Sequence, residues 1–118
     1  MIEYGRRTRR LPAPPRVVWA DLAHPKREGT RAWLALLPDE IEPEVFDTDP
    51  PKHLIWSSLW PSRPDDHVVF ELADDHGESA LTFILLSAGD PPDDSKTGQI
   101  RKRMNQLLFA DLRYTYGQ

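Results

Sequence analysis

A change in hydrophobic spacing near residue 90 constrains the fold of this chain more than any other feature. Three runs before it are short, apolar and rich in branched and aromatic residues, which is typical of β-strands. They are HLIWSSLW (53–60), HVVFELA (67–73) and ALTFILLSA (80–88). After it, apolar side chains over residues 99–118 recur at helical spacing, which predicts one long terminal helix. We therefore expect an α+β domain in which this helix packs on one face of an antiparallel sheet.

The N-terminal part predicts a strand followed by a helix. Residues 2–11 alternate loosely between apolar and polar side chains, and PAPP (12–15) ends this strand because proline donates no ladder hydrogen bond. Proline is well tolerated in the first turn of a helix, so we expect a short helix over residues 16–24. His24 precedes a proline, and this position disfavours helical backbone.

A second short helix is predicted between the first helix and the sheet. It would begin at Thr30, place Trp33 and Leu37 on its apolar side, and stop at Pro38. Residues 40–48 then predict a weak strand. Two short helices are thus expected between the first and second strands.

The charge distribution argues against a nucleic-acid partner. Residues 1–35 carry eight Lys/Arg against three Asp/Glu, a net charge of +5, whereas residues 36–118 carry seven against sixteen, a net charge of −9. The whole chain has a net charge of −4, while nucleic-acid-binding domains usually have a basic balance.

The stretch RRTRRLPAPPRVVW opens with four of the basic residues. In an extended strand Arg6 and Arg10 face one side, and Arg7 and Arg9 face the other, so the cluster makes no single basic surface. The sequence leaves open which pair faces the inside of the domain. An arginine there would favour an anionic head group on any ligand.

The absence of cysteine excludes disulfides and thiolate chemistry, and it favours a cytoplasmic location. The apolar runs AWLALL (32–37) and LTFILL (81–86) are too short to span a bilayer. The N-terminus, MIEYGRR, lacks the apolar segment of a signal peptide. We therefore expect neither a membrane span nor a cleaved leader.

Five stretches together resemble one known family. They are LPAPPRVVWADLAHP (11–25), HLIWSSLW, HVVFEL, HGESALTFIL and TGQIRKRMNQLLFADL. In this order they are similar to the SRPBCC or START-like superfamily, and more narrowly to its bacterial polyketide-cyclase/AHSA1-type members. The resemblance implies the helix-grip fold, in which a curved antiparallel sheet wraps around a long C-terminal helix. The resemblance covers nearly all of the chain, so we expect residues 1–118 to form a single domain, in a short form that lacks about one hairpin.

The same resemblance implies a pocket between the sheet and the closing helix for an apolar or amphipathic small molecule, with no cofactor. The candidate ligand-binding residues are Trp19, Trp33, Trp56, Phe70, Phe83, Met104 and Leu108. The alternative is that these side chains only fill a core, since protein interiors are close-packed. Two other functions stay open: a cyclase-like or dehydratase-like enzyme acting on an apolar substrate, and a protein-interaction module similar to a chaperone regulator.

No convergent catalytic or metal-binding set is indicated. DDH occurs at 65–67 and 74–76, but an extended strand between them separates the copies by about 30 Å at roughly 3.3 Å per residue. HGES (76–79) lacks the second glycine of a nucleophile elbow.

Two of the strands, 53–60 and 80–88, are apolar on both faces. The face away from the helix therefore needs cover from the short helices, a homodimer partner or another protein.

Overall fold

The computed structural model describes residues 1–26 and 32–117, and this part of the chain forms one five-stranded sheet and two α-helices. The elements in chain order are β1 (Ile2–Leu11), α1 (Pro15–Ala23), β2 (Val45–Asp49), β3 (His53–Ser57), β4 (His67–Asp75), β5 (Glu78–Ser87) and α2 (Asp94–Gln106), which continues as a π-helical segment (Leu107–Leu112). The strands lie in the order β1-β5-β4-β3-β2, and all neighbouring pairs are antiparallel. The predicted α+β arrangement is confirmed.

The two faces of the sheet differ in what covers them. The inner face, which carries Trp56, Phe70 and Phe83, is fully buried against the helices. The outer face, which carries Ile55, Val69 and Ile84 in one cross-strand row, lies outside the main core cluster. Strand alternation places these two sets on opposite sides. The core therefore lies between the inner face and the helices.

The predicted second helix is wrong for residues 32–37, which have no regular secondary structure; its predicted start, Thr30, lies outside the described residues. Tertiary contacts hold this segment instead. Arg103 donates to the carbonyl oxygen of Ala35 at 2.7 Å, and the Leu37 amide donates to the Glu40 carboxylate at 2.9 Å. These two bonds satisfy the Ala35 carbonyl and the Leu37 amide without helical hydrogen bonds.

The predicted boundaries of three elements change by three residues or more, the first being β2, which begins at Val45 and not at residue 40. β3 ends at Ser57 and not at residue 60, because the Ser58 hydroxyl accepts from the Trp60 amide at 3.0 Å and turns the chain. The closing helix begins at Asp94, five residues before its predicted start at residue 99. Its N-cap is Asp93, whose carboxylate accepts from the Lys96 amide at 2.8 Å.

β1 passes close to the closing helix, and a glycine allows this. A Cβ added to Gly5 would lie 3.1 Å from Cδ of Arg101 and 3.2 Å from Cδ1 of Leu85. The Arg101 side chain therefore packs directly over the β1 backbone. In the part of the chain that the structure describes, no helix is both long enough and apolar enough to cross a membrane.

The two DDH motifs lie at opposite ends of β4, as predicted. Asp66 is buried and bonds to Arg63 at 2.6 Å and to the Tyr4 hydroxyl at 2.8 Å. Asp75 contacts Arg10 at 3.4 Å. The described residues include no cluster of three potential metal ligands.

Candidate ligand site

The seven predicted ligand-binding residues do not all occupy the same environment. Trp33, Trp56, Phe70, Phe83, Met104 and Leu108 belong to one buried core cluster. The Trp33 and Trp56 rings stack with centroids 6.1 Å apart, and the edge of Trp56 meets Phe70 at 4.7 Å. Trp19 is only partly buried, and its indole N–H donates to the His53 carbonyl at 3.0 Å. The side chains themselves thus fill the region between sheet and helix where the resemblance implied a pocket.

One of these residues, Trp33, also borders a surface pocket. This pocket has a volume of about 240 Å³, and its lining residues are Ala32, Trp33, Ala35, Asp111 and Tyr114. It lies where the irregular segment 32–37 meets the π-helical segment. Apolar walls with a few polar groups are typical of small-molecule sites.

The indole N–H of Trp33 is a buried donor without an acceptor among the described residues. The residue as a whole is only 4% exposed. By contrast, the indole N–H of Trp56 donates to the Leu22 carbonyl at 2.9 Å, and that of Trp19 donates to the His53 carbonyl. A buried donor left unpaired costs about 1–3 kcal/mol.

The π-helical segment determines which helix residue reaches this pocket. Leu107, Leu108 and Leu112 of the segment are fully buried, while Asp111 is half-buried and lines the pocket. A π-helical turn is wider than an α-helical turn, and such turns often occur at functional sites. The segment thus buries its leucines and leaves a carboxylate beside Trp33.

A second, smaller pocket of about 160 Å³ lies beside α2 and is lined in part by Leu37, Trp60 and Ile100. Four charged residues line it: Asp39, Glu40, Lys96 and Arg103. The side chains of Glu40 and Arg103 are only 2% and 10% exposed. Nε of Arg103 donates to Oε2 of Glu40 and Nη2 donates to Oε1, both at 2.8 Å. Because this bidentate pair satisfies both groups, it joins the irregular segment to the helix and offers no poised acid or base.

The electrostatics of this pair follow from its contacts. Burial alone would raise the pKa of the Glu40 carboxyl, but the hydrogen bonds from Arg103 and the Leu37 amide, together with the charge of Arg103, outweigh it. The pKa of Glu40 therefore lies below its ordinary value of 4.5. The hydrogen bond to Glu40 raises the pKa of Arg103. Both groups are charged at neutral pH.

A wider depression of about 610 Å³ lies on the sheet. Its floor includes Ala73 and Ala80, and its walls include Thr8 and Thr82, whose hydroxyls are 2.6 Å apart. The volume is within the range of ligand sites, but the polar groups here already bond to each other or face solvent. Among the described residues that line it, the depression therefore has no buried, unpaired polar group like the indole N–H of Trp33.

The fold is shared with several solved structures. MLL2253 from Mesorhizobium loti is 19% identical with a TM-score of 0.68, and the match covers 96% of each chain. The Aha1 dimer from Colwellia psychrerythraea is 13% identical with a TM-score of 0.67, over 93% of this chain and 92% of that one. CalU16 from Micromonospora echinospora is 17% identical with a TM-score of 0.65, over 91% and 80%.

These structural matches define the fold: a curved antiparallel sheet and a C-terminal helix in the helix-grip arrangement that the sequence resemblance predicted. A scan against protein-family models and a search of curated proteins both give no match. At these identities the likeness establishes the fold and not the function.

Sequence reasoning missed Glu40 and Tyr114, and it offered Asp111 and Arg103 only as candidates for an acid/base site on the closing helix. Asp111 and Tyr114 lie near the end of a segment predicted as a regular helix, and Glu40 lies in a predicted strand. No local pattern marks them, because each acquires its position through a contact made by the folded chain. The signal available in the sequence was Trp33, a large aromatic residue in a segment that also contains two alanines.

Proposed function

We propose that this chain binds a neutral amphipathic small molecule, without catalysis of its own, at the pocket beside Trp33. The unpaired indole N–H of Trp33 carries the proposal. A carbonyl oxygen of the ligand would accept from this N–H, and a hydroxyl of the ligand would donate to the carboxylate of Asp111. A ligand with a negative head group is disfavoured here, because Asp111 would repel it.

The size of the pocket limits the ligand. At about 240 Å³ it lies just below the range of roughly 300–1,000 Å³ that is usual for ligand sites. It suits one or two fused rings. A larger ligand would have to move the Trp33 ring away from Trp56, and would then contact Phe70, Phe83, Met104 and Leu108 of the predicted set.

The test is a titration with 6-hydroxy-1-tetralone, which has a carbonyl at one end and a hydroxyl at the other, followed by calorimetry and native mass spectrometry. Tetralin, which lacks both groups, is the matched control ligand. Trp33→Phe keeps an aromatic ring and removes the donor, so we expect it to weaken binding of the ketone about tenfold. Trp19→Phe removes an indole N–H that already has an acceptor in β3, and it should leave binding unchanged.

Equal binding of the ketone by the parent protein and Trp33→Phe would overturn the proposal. So would equal affinity for the ketone and tetralin. The same samples test the enzyme alternative, since a cyclase or dehydratase would need two titratable groups on one substrate. Asp111 and Tyr114 line the described pocket, so a change in probe mass after incubation would favour that alternative.

We also propose a cytoplasmic protein that forms a homodimer through the outer face. The location rests on the cysteine-free sequence. The dimer rests on Phe46, which is 37% exposed beside the row of Ile55, Val69 and Ile84, and on the likeness to a protein whose structure was determined as a dimer. Val69 and Ile84 are themselves 9% and 8% exposed, so the proposed contact centres on Phe46. Sedimentation of the parent protein and of Phe46→Glu tests it: a monomer in both cases would contradict it.

A further inference from the structure

A strip of arginines lies where β1 meets the closing helix. Gly5, Arg7 and Arg9 alternate along one face of β1, and Arg7 and Arg9 pair in register with Phe83 and Leu81 of the inner face. Arg7 and Arg9 are therefore the pair that faces inward, but neither lines the pocket beside Trp33. They lie at the edge of the sheet because β1 is its terminal strand.

The closing helix adds two more arginines along the same edge. The side chain of Arg101 packs over Gly5, and Nη1 of Arg113 donates to the Arg10 carbonyl at 3.4 Å. Between them the guanidinium of Arg9 lies 5.9 Å from the centre of the Phe109 ring. The strand and the helix thus run side by side in the same direction. We call Arg7, Arg9, Arg101 and Arg113 the basic strip.

The basic strip has no carboxylate partner among residues 1–26 and 32–117. The neighbouring arginines do have partners: Arg6 bonds to Glu3 at 2.6 Å, and Arg10 lies 2.7 Å from Glu78. Those pairs lie on the other face of β1, by strand alternation. Four arginines whose charges the described residues leave uncompensated form a local positive field on a chain of net charge −4.

We propose that the basic strip binds a short, extended acidic segment of another protein. From Gly5 to Arg10 the strand extends about 17 Å at roughly 3.3 Å per residue, which is the length of about five extended residues of a partner. Arginine side chains bind carboxylates in bidentate geometry, so an acidic peptide suits this row of guanidinium groups.

The rest of the charge distribution favours a short peptide over the alternatives. Residues 36–118 have a net charge of −9, so a long polyanion or an anionic membrane extending beyond the basic strip would meet repulsion. A second copy of this chain could offer its own acidic loops. That contact would join two different surfaces, however. Such contacts produce open chains of molecules unless the rotation from one molecule to the next closes a ring.

The test uses a fluorescein-labelled peptide, Glu-Asp-Glu-Phe-Glu-Asp-Glu, and its amide counterpart with Gln and Asn in place of the acids. Anisotropy is measured at about 20 mM and about 150 mM NaCl, since screening weakens exposed charge contacts. We expect the acidic peptide to bind, more weakly at higher salt, and the amide peptide not to bind. Arg7→Glu/Arg101→Glu should lower the affinity at least about tenfold. Arg7→Gln/Arg101→Gln, a milder change, should give a smaller loss.

The matched control is Arg16→Glu/Lys52→Glu, which changes the net charge equally at two exposed positions outside the basic strip. It should keep most of the affinity. An equal loss in this control would overturn the proposal, because the attraction would then belong to the whole molecule. If an oligothymidylate of equal charge binds more tightly than the acidic peptide, the proposal is overturned in favour of a nucleic-acid partner. Self-association that Arg7→Glu/Arg101→Glu abolishes would overturn it in favour of a second copy; a dimer through the outer face would not respond to this change.

Discussion

Replacement of Arg103 by methionine tests how the irregular segment is held against the closing helix. Methionine keeps the apolar stem of Arg103 but removes the guanidinium, which donates to both oxygens of Glu40 and to the Ala35 carbonyl. The Glu40 carboxylate, only 2% exposed, would then be a buried charge without its cation. Losing one partner of a buried ion pair typically costs about 3–5 kcal/mol.

The lower end of that range applies here, because the Arg103 side chain is 10% exposed and lies at the mouth of a pocket. We expect a loss of about 3 kcal/mol in the free energy of unfolding. A domain of 118 residues has an unfolding entropy of about 0.25 kcal/mol/K near its midpoint, so the melting temperature should fall by about 12 °C. Urea unfolding followed by circular dichroism, with calorimetry for the melting temperature, measures both.

The double variant Glu40→Leu/Arg103→Met should recover much of this loss, because an apolar pair of similar volume often replaces a buried ion pair at little cost. Lys102→Met, at an exposed neighbouring position, is the control and should stay within about 0.5 kcal/mol of the parent. A loss below about 1 kcal/mol in Arg103→Met, with no coupling between the two sites, would refute the reasoning. The pair would then behave as an exposed salt bridge.

Three further changes have expected outcomes of their own. Because the pKa of Glu40 is depressed in the fold, its contribution to stability is present above its ordinary pKa of 4.5 and is lost as pH falls below that value. The difference in unfolding free energy between the parent and Glu40→Gln should therefore shrink on acidification from pH 5. Gly5→Val would place methyl groups against Leu85 and should cost about 1–3 kcal/mol in urea unfolding. Asp93→Ala removes the N-cap of α2 and should cost about 1 kcal/mol, against a negligible change in Asp65→Ala in an exposed turn.

Each of these outcomes can be contradicted. If the difference in unfolding free energy between the parent and Glu40→Gln stays constant as pH falls, the pKa of Glu40 is not depressed. A valine at position 5 without a stability cost would mean that β1 and the closing helix are not in close contact. Equal effects at Asp93 and Asp65 would remove the N-cap assignment.

Much of the fold could be predicted from residue patterns, because those patterns record burial directly. The alternation in β4 and the helical spacing of Ile100, Met104 and Leu108 both reflect which side chains face the core. The start of α2 could also have been predicted, because Asp93 followed by a helical run is an N-cap signature. The prediction of a start at residue 99 did not use it.

The irregular segment could not be predicted in the same way. Residues 32–37 have the composition of a helix, but Arg103 and Glu40 bind the Ala35 carbonyl and the Leu37 amide in place of helical bonds. The pocket beside Trp33 depends on that irregular path and on the π-helical segment near Asp111. The local sequence predicts neither the irregular path nor the π-helical segment, because both arise when distant parts of the chain pack together.

The indole N–H resonances of the four tryptophans test the central claim most directly. In ¹H–¹⁵N correlation spectra of the labelled protein, Trp33→Phe assigns the resonance of the unpaired donor, and 6-hydroxy-1-tetralone is then titrated in. A new acceptor should move the Trp33 indole proton downfield while the Trp19 and Trp56 protons, which already donate to backbone carbonyls, stay in place. If the ketone binds and the Trp33 resonance does not move, the ligand does not use this donor and the proposed site is wrong.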